Sequence, residues 1–444
     1  MTKLRIGIPS PFSIALLLTI VTFILALLLT QRPENSGSAH FLNIFDYWQT
    51  GFWELLSFTM QMALILILGH SLALTPLFKA FISKLTKYCN NTANAALMVS
   101  LFAVLTSFVN WGLCLVFGAI FARKVAEKAQ LEGKPLNYPL IGAAGYVGMM
   151  CWHGGFSGSA PLTVSGNNHF LIQEIGQISI QETLLSPMNL TTSFLLLIII
   201  PISFYFLGKK ANGHLINLPL QKGEVTQGQS SVTRGAEKLD TSKFFGMFFG
   251  ILICLLALRK LFTEPFTSGF GFIDLNYINF FLFGMAMMLH RSINQFVNSL
   301  KDALGGALGI IIQFPLYAGI MGIMKYSGLG TAFSEGFIAL SNATTLPIFT
   351  MISAALVNIF VPSGGGQWAV QGPIVTEAAS FLGVAQAKVI MALSYGDELT
   401  NMLQPFWALP LLGITKLKAK DILPYSLIML LIGLLIFTIT LLLF

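Results

Sequence analysis

Long apolar runs recur along the whole chain, separated by short polar stretches. ALLLTIVTFILALLL, TSFLLLIIIPISFYFL, FFGMFFGILICLLAL and SLIMLLIGLLIFTITLLLF reach or approach the length a helix needs to span a bilayer, about 20 residues. Period-2 alternation of the barrel type is absent. The pattern therefore predicts an all-α polytopic membrane protein. The run from Pro11 to Thr30 follows Lys3 and Arg5 and precedes QRPEN rather than a small-residue cleavage site. It reads as a retained first helix, not a signal peptide.

Composition agrees. Of 444 residues, 55% are hydrophobic and 10% charged, against about 25% charged in a soluble domain. The net charge of +7 is spread over loops. That argues against nucleic acid as a partner and for positive-inside topology. Cys89, Cys114, Cys151 and Cys254 are scattered, with neither metal spacing nor a disulfide framework.

The loop charges set the sides, with the N-terminus cytoplasmic. A second helix is expected over about 52–78, with Trp48 and Trp53 as interfacial anchors. Lys79, Lys84 and Lys87 precede the apolar segment 95–121, and Arg123, Lys124, Lys128 and Lys134 follow it. Both flanks are basic, so the segment enters and returns as a re-entrant hairpin, with FVNWG at its tip. Segment 138–163 then crosses outward, the loop 165–188 is external, and 190–207 returns. The hydrophilic stretch 208–243 reads as a cytoplasmic linker between a first half, 1–207, and a second half, 244–444. Helices are expected at about 244–262, 273–290 and 303–325. Segment 345–384 is a second hairpin, entering from outside. The crossing 386–413 and a final helix, 424–444, complete about nine full crossings and two hairpins. Arg259, Lys260 and Lys325 fall near the external side, against the bias.

The halves resemble each other. FVNWG at 108–112 matches LVNIF at 356–360, and Tyr146 with Tyr395 shares one sequence offset with Pro161 and Pro410. Inverted repeats with two opposed re-entrant hairpins and two broken helices are the expected architecture, as in secondary transporters.

Four polar interruptions carry the candidate chemistry. The first is Asn110, Trp111 and Gly112. The second is His153, Gly154 and Gly155, with Ser157 and Ser159. The third is Ser363, Gly364, Gly365, Gly366 and Gln367, with Asn358 just before it. The fourth runs from Gly396 through Asp397 and Glu398 to Thr400, Asn401 and Gln404. Half-helix N-termini present free N–H groups and about half a positive charge, which suits a carboxylate. Glycine lets backbone approach a ligand, although in membrane helices it often serves only close packing. Freed carbonyls could hold Na⁺. An ionisable group at this depth costs at least ~2.5 kcal/mol on insertion scales. Asp397 and Glu398 are thus candidates for ion coupling, with Glu398 at the cytoplasmic lip as the bland alternative. His153 is either a packing or a site residue. Trp111, Phe156 and Trp368 are candidates for an apolar wall around an acyl tail.

No enzyme motif competes. There is no Walker A lysine and no HExxH. HGGFSGSAP fails the GxSxG pattern, because Ser157 is followed by Gly158 and Ser159.

PSGGGQWAVQGP, WHGGFSGSAPL, INQFVNSL through IIQFPLYAGIM, YSGLG and NMLQPFWALPLLGI together resemble the bacterial short-chain fatty acid transporter family, over about Phe12 to Phe444. That family is similar to the ion transporter superfamily, and the resemblance implies an elevator-type transport domain. The expected function is secondary active import of butyrate- or acetoacetate-like monocarboxylates across the bacterial cytoplasmic membrane. Coupling to H⁺ or Na⁺ is expected, with no other cofactor. A dicarboxylate or other organic-anion carrier and an anion channel are the alternatives. The expected partners are the substrate and the lipid bilayer, with a homodimer as the assembly to test.

Overall fold

The computed structural model describes residues 11–30, 39–218, 235–264, 270, 272–359 and 364–444. Most of these are helical. Their one β-type contact is an antiparallel bridge between Leu136 and His214. Among the described residues, six helices are long and apolar enough to cross a membrane, and Ala15–Leu29, Leu275–His290 and Leu346–Asn358 are shorter apolar helices. The protein is a multi-pass membrane protein, and its peripheral helices show why. Leu28, Phe194, Phe244 and Leu435 all point outward, fully at odds with water.

The chain begins with α1 (Pro11–Leu29), α2 (His40–Glu54), α3 (Leu56–Ala73) and α4 (Pro76–Leu85). The single helix expected over 52–78 is thus divided at Leu55, and α2 was not foreseen. Trp48 is half-buried. Its indole packs onto Gly319, where a Cβ would come within 2.5 Å of Nε1, while Trp53 remains exposed.

The first hairpin is α5 (Thr92–Val109) and α6 (Trp111–Leu131). Its arms are longer than the expected 95–121. Asn110 separates them with extended backbone, φ −163° and ψ 130°, and its side chain accepts from Leu113 N–H at 2.8 Å to cap α6. The broken segment follows as α7 (Tyr138–Tyr146), two 3₁₀ turns (Val147–Met150 and Trp152–Gly154), and α8 (Ser159–Val164). A one-turn α9 (Ile172–Ile175) lies in the loop before α10 (Pro187–Lys210).

After the short α11 (Lys238–Thr241) come α12 (Lys243–Thr263), α13 (Leu275–His290), α14 (Ile293–Ser327) and α15 (Leu329–Leu340). At 35 residues α14 is far longer than the expected 303–325. It ends at Gly328, whose φ of 81° is the left-handed conformation that stops a helix. The second hairpin is α16 (Leu346–Asn358) and α17 (Gly364–Leu382). The second broken segment is α18 (Gln386–Asn401) and α19 (Pro405–Thr415), and α20 (Ala419–Leu443) closes the chain.

The two hairpins open toward opposite ends of the molecule. At one end Asn137 N–H donates to Thr92 Oγ1 at 3.1 Å, Lys128 Nζ to Thr86 O at 2.9 Å, and Tyr138 OH to Thr415 O at 2.8 Å. This end carries the lysines of α4, α6, α10 and α20. At the other end Leu346 packs with Ala378, Ala379 and Val389. Lys325 pairs there with Glu54 at 3.9 Å, and Ser165 OH donates to Ile273 O at 2.8 Å. First-half helices α2 and α3 pack on second-half helices α14 and α13, so the two halves of the sequence are interleaved in space.

Candidate functional site

Two predicted interruptions have a different local structure from the one expected. Gly364, Gly365 and Gly366 are not a loop but the first turn of α17. Gly396, Asp397 and Glu398 lie inside α18, which stays helical through Asn401, and the break falls at 402–404. The reason in each case is packing. A Cβ on Gly365 would come within 2.8 Å of Phe58 Cζ and 3.0 Å of Phe314 Cε2. One on Gly366 would lie 2.6 Å from Tyr317 Cδ2, and one on Gly364 would collide with the His153 imidazole. The glycines therefore seat the half-helix against α3, α14 and the first broken segment. Ser363 lies outside the described residues.

The polar residues of the interruptions are drawn into one buried network. The Ser157 hydroxyl accepts from Trp111 N–H, the first amide of α6, at 2.9 Å. Asn110 also donates to Ile65 O at 3.1 Å. Gly155 and Phe156 wrap the end of α5, where Phe156 N–H donates to Phe108 O at 2.7 Å. A Cβ on Gly112 would lie 2.8 Å from Leu66 O. Gly154 O accepts from Asn189 Nδ2 at 2.9 Å.

His153 joins this first unit to the second. Its backbone N–H donates to Glu398 Oε1, and its Nε2 lies 3.1 Å from Asp397 Oδ1. Both carboxylates are 1% exposed, so each is enclosed by protein. Asn358 Nδ2 donates to Asp397 O at 2.6 Å, Thr400 Oγ1 at 3.0 Å and Asn401 Oδ1 at 3.1 Å. Asn401 Nδ2 reaches Met149 O at 3.0 Å, and Gln404 Nε2 donates to Asn358 O. Gln367 Nε2 donates to Ala354 O at 2.8 Å and Gln371 Oε1 at 2.7 Å.

Several polar atoms in this network have no partner among the described residues: Asp397 Oδ2, Ser159 Oγ, Asn358 Oδ1, Gln404 Oε1 and the indole nitrogens of Trp111 and Trp152. Unsatisfied buried groups are costly in a protein interior, and here they gather around the same breaks. Among the described residues, neither Lys nor Arg contributes to the network.

The expected apolar wall is not one surface. Trp111 packs with Trp152 at 5.7 Å and with Trp407 at 5.1 Å, whereas Trp368 packs with Phe170 at 6.2 Å. Phe156 is 39% exposed and shares no ring contact with either among the described residues. Sequence reasoning missed Trp152, Trp407 and Asn189. Asn189 had a visible signal, being an amide in an otherwise apolar helix, and its Oδ1 accepts from Tyr395 OH at 3.1 Å.

A family model described as short chain fatty acid transporter matches residues 2–444. This chain belongs to the short-chain fatty acid transporter family. It is 36% identical over 441 residues to an Escherichia coli protein provisionally named a short-chain fatty acid transporter, covering 98% of this chain and 96% of the relative. A Haemophilus influenzae family member, named in the same provisional way, is 35% identical over 428 residues, covering 94% and 92%. In fold, this family member is similar to the YdaH transporter of Alcanivorax borkumensis, at a TM-score of 0.63 and 17% identity over 98% of each chain. It is also similar to MtrF of Neisseria gonorrhoeae, of a class of antimetabolite efflux pumps, at a TM-score of 0.59 and 15% identity over 98% and 95%. The short-chain fatty acid transporter family supplies the coarse activity, which is transport rather than catalysis.

Proposed function

We propose that the protein is a secondary active carrier that imports short monocarboxylates of the butyrate and acetoacetate type across the bacterial cytoplasmic membrane, coupled to H⁺ or Na⁺. One observation supports this most directly. The breaks of two hairpins and two interrupted helices meet in a single buried polar network that has carboxylates but no Lys or Arg. Half-helix N–H groups and neutral amides suit one carboxylate. A second carboxylate would find no cation, which disfavours dicarboxylates. Import of an anion against an inside-negative potential costs about 2.3 kcal/mol per charge per 100 mV, so a co-transported cation is required for accumulation. Asp397, Glu398 and His153 are the groups to carry or counter it.

By resemblance to elevator-type carriers, the unit of α5–α8 and α16–α19 would move against α2, α3 and α12–α14. The primary test is uptake of labelled butyrate into proteoliposomes under an imposed pH or Na⁺ gradient. Wild type should accumulate butyrate under one of the two gradients, and Asp397→Asn should abolish the accumulation. Currents that follow voltage without saturating, and no gradient-driven accumulation, would sink the carrier reading in favour of a channel.

A further inference from the structure

We propose that a cleft at the end opposite the lysine-rich one, with Arg259 and Lys260 on its rim, collects carboxylate anions and feeds them to the central network along an amide-lined seam. The inference rests on the import reading above.

The positive-inside bias disfavours cations at this end, yet the last turns of α12 carry two. Both side chains are exposed, and neither is ion-paired with a carboxylate among the described residues. They line a cleft of about 840 Å³ between the end of α12, the start of α13 and the loop after α8. Asp274 stands on the same wall, but its Oδ1 accepts from Tyr277 N–H at 2.8 Å to cap α13. The other polar lining is neutral: Asn167, Gln177 and Asn276.

The cleft continues inward. Asn276 also lines a second cavity of about 560 Å³ between α3 and α13, with Gln61, Asn168 and Asn279. Gln61 and Asn168 are shared in turn with a third, of about 240 Å³, which reaches Leu162 and Thr163 of α8 and the ring of Phe58 and is also lined by Glu54 and Asp274. Helix α8 begins at Ser159, and Phe58 is the ring on which Gly365 sits. Three adjoining cavities therefore lead from the two cations to the walls of the central network.

The chemistry along this route is graded. Exposed cations at the mouth raise the local concentration of anions and speed their capture, an effect that salt screens. Amides line the middle of the route and offer hydrogen bonds without fixed charge, while the two carboxylates of the innermost cavity are both engaged, Glu54 by Lys325 and the Tyr326 hydroxyl and Asp274 by the Tyr277 N–H. The competing anion at such a rim is a lipid headgroup.

The test is the double variant R259Q/K260Q in proteoliposomes. At low salt its KM for butyrate should rise by up to about tenfold with kcat unchanged. Wild-type KM should climb toward the variant's value as salt is added. The shift should be the same in phosphatidylcholine vesicles with and without phosphatidylglycerol. A second arm does not depend on butyrate being the substrate. A fluorophore on Asn167→Cys should be quenched by iodide less in the double variant than in the parent, with acrylamide quenching equal in both. Unchanged iodide quenching overturns the antechamber. So does a KM shift confined to vesicles with anionic lipid, which assigns the two cations to headgroups. Absence of butyrate uptake by wild type defeats the monocarboxylate reading alone, and the iodide arm then decides the cleft.

Discussion

Single residues hold the network together through unusually many partners. The Asn358 amide nitrogen faces three acceptors, Asp397 O, Thr400 Oγ1 and Asn401 Oδ1, and its backbone carbonyl accepts from Gln404. Asn358→Ala leaves those buried acceptors unmet, and a loss of about 1–3 kcal/mol is expected, read as a lower unfolding midpoint in detergent together with reduced butyrate uptake. Gly365→Val should cost a similar amount, about 1–3 kcal/mol, by overpacking against Phe58 and Phe314. Gly413 meets nothing within 4 Å, so Gly413→Ala should leave the midpoint unchanged or raise it slightly. If the two glycine variants unfold alike, the packing account of α17 is wrong. The sequence announced that 364–366 was special, but not why. Phe58, Phe314 and Tyr317, the rings that exclude a side chain there, come from helices distant in the chain, and no local pattern could name them. The same holds for His153, whose two carboxylate partners lie on α18.

Helices were legible where they are long and apolar, and were misread where tertiary partners replace lipid. Helix α2 contains His40, Asn43, Asp46 and Gln49, so it lacks a membrane signature; it is fixed by backbone contact with α14, where a Cβ on Gly51 would lie 2.5 Å from Gly322 Cα. GDELTN in α18 looked like a break because its polarity suits a loop, yet the helix continues and Asn358, His153 and Met149 satisfy it. The first hairpin gives a simple check: cysteines placed at Lys87 and Glu132 should label from one side only. Labelling from opposite sides would refute it. The loop after α8 carries its own pH dependence. His169 Nδ1 accepts from Leu171 N–H at 3.2 Å, which leaves Nε2–H to donate to Gly176 O at 2.9 Å. Burial lowers its pKa below the ordinary 6.5, with the Gly176 carbonyl opposing. The unfolded chain therefore binds the proton more readily, and stability contributed by neutral His169 is lost as pH falls below about 6.5. Exchange protection of residues 165–178, after correction for the intrinsic pH dependence of exchange, should fall in that window, and His169→Gln should remove the effect.

For the molecule as a whole, the decisive question is whether the hairpins travel against the remaining helices. Phe58 on α3 and Phe170 after α8 face each other with ring centroids 6.4 Å apart. Cysteines at these positions joined by a short bifunctional reagent should halt uptake. Phe102 and Phe121, within the first hairpin and 6.5 Å apart, should tolerate the same link. Equal inhibition by both, or by neither, would exclude relative motion of the two units. The interleaving of the halves has a further consequence, for synthesis. Helices α2 and α3 leave the ribosome early, but their packing partner α14 follows more than two hundred residues later in the chain. Tyr395 stacks on Phe437 of the last helix, centroids 4.6 Å apart and planes 9° from parallel. Neither unit can be completed during translation. The nascent protein must wait in the bilayer with its glycine and asparagine faces unmatched, and that interval is when insertion chaperones and membrane proteases would decide its fate.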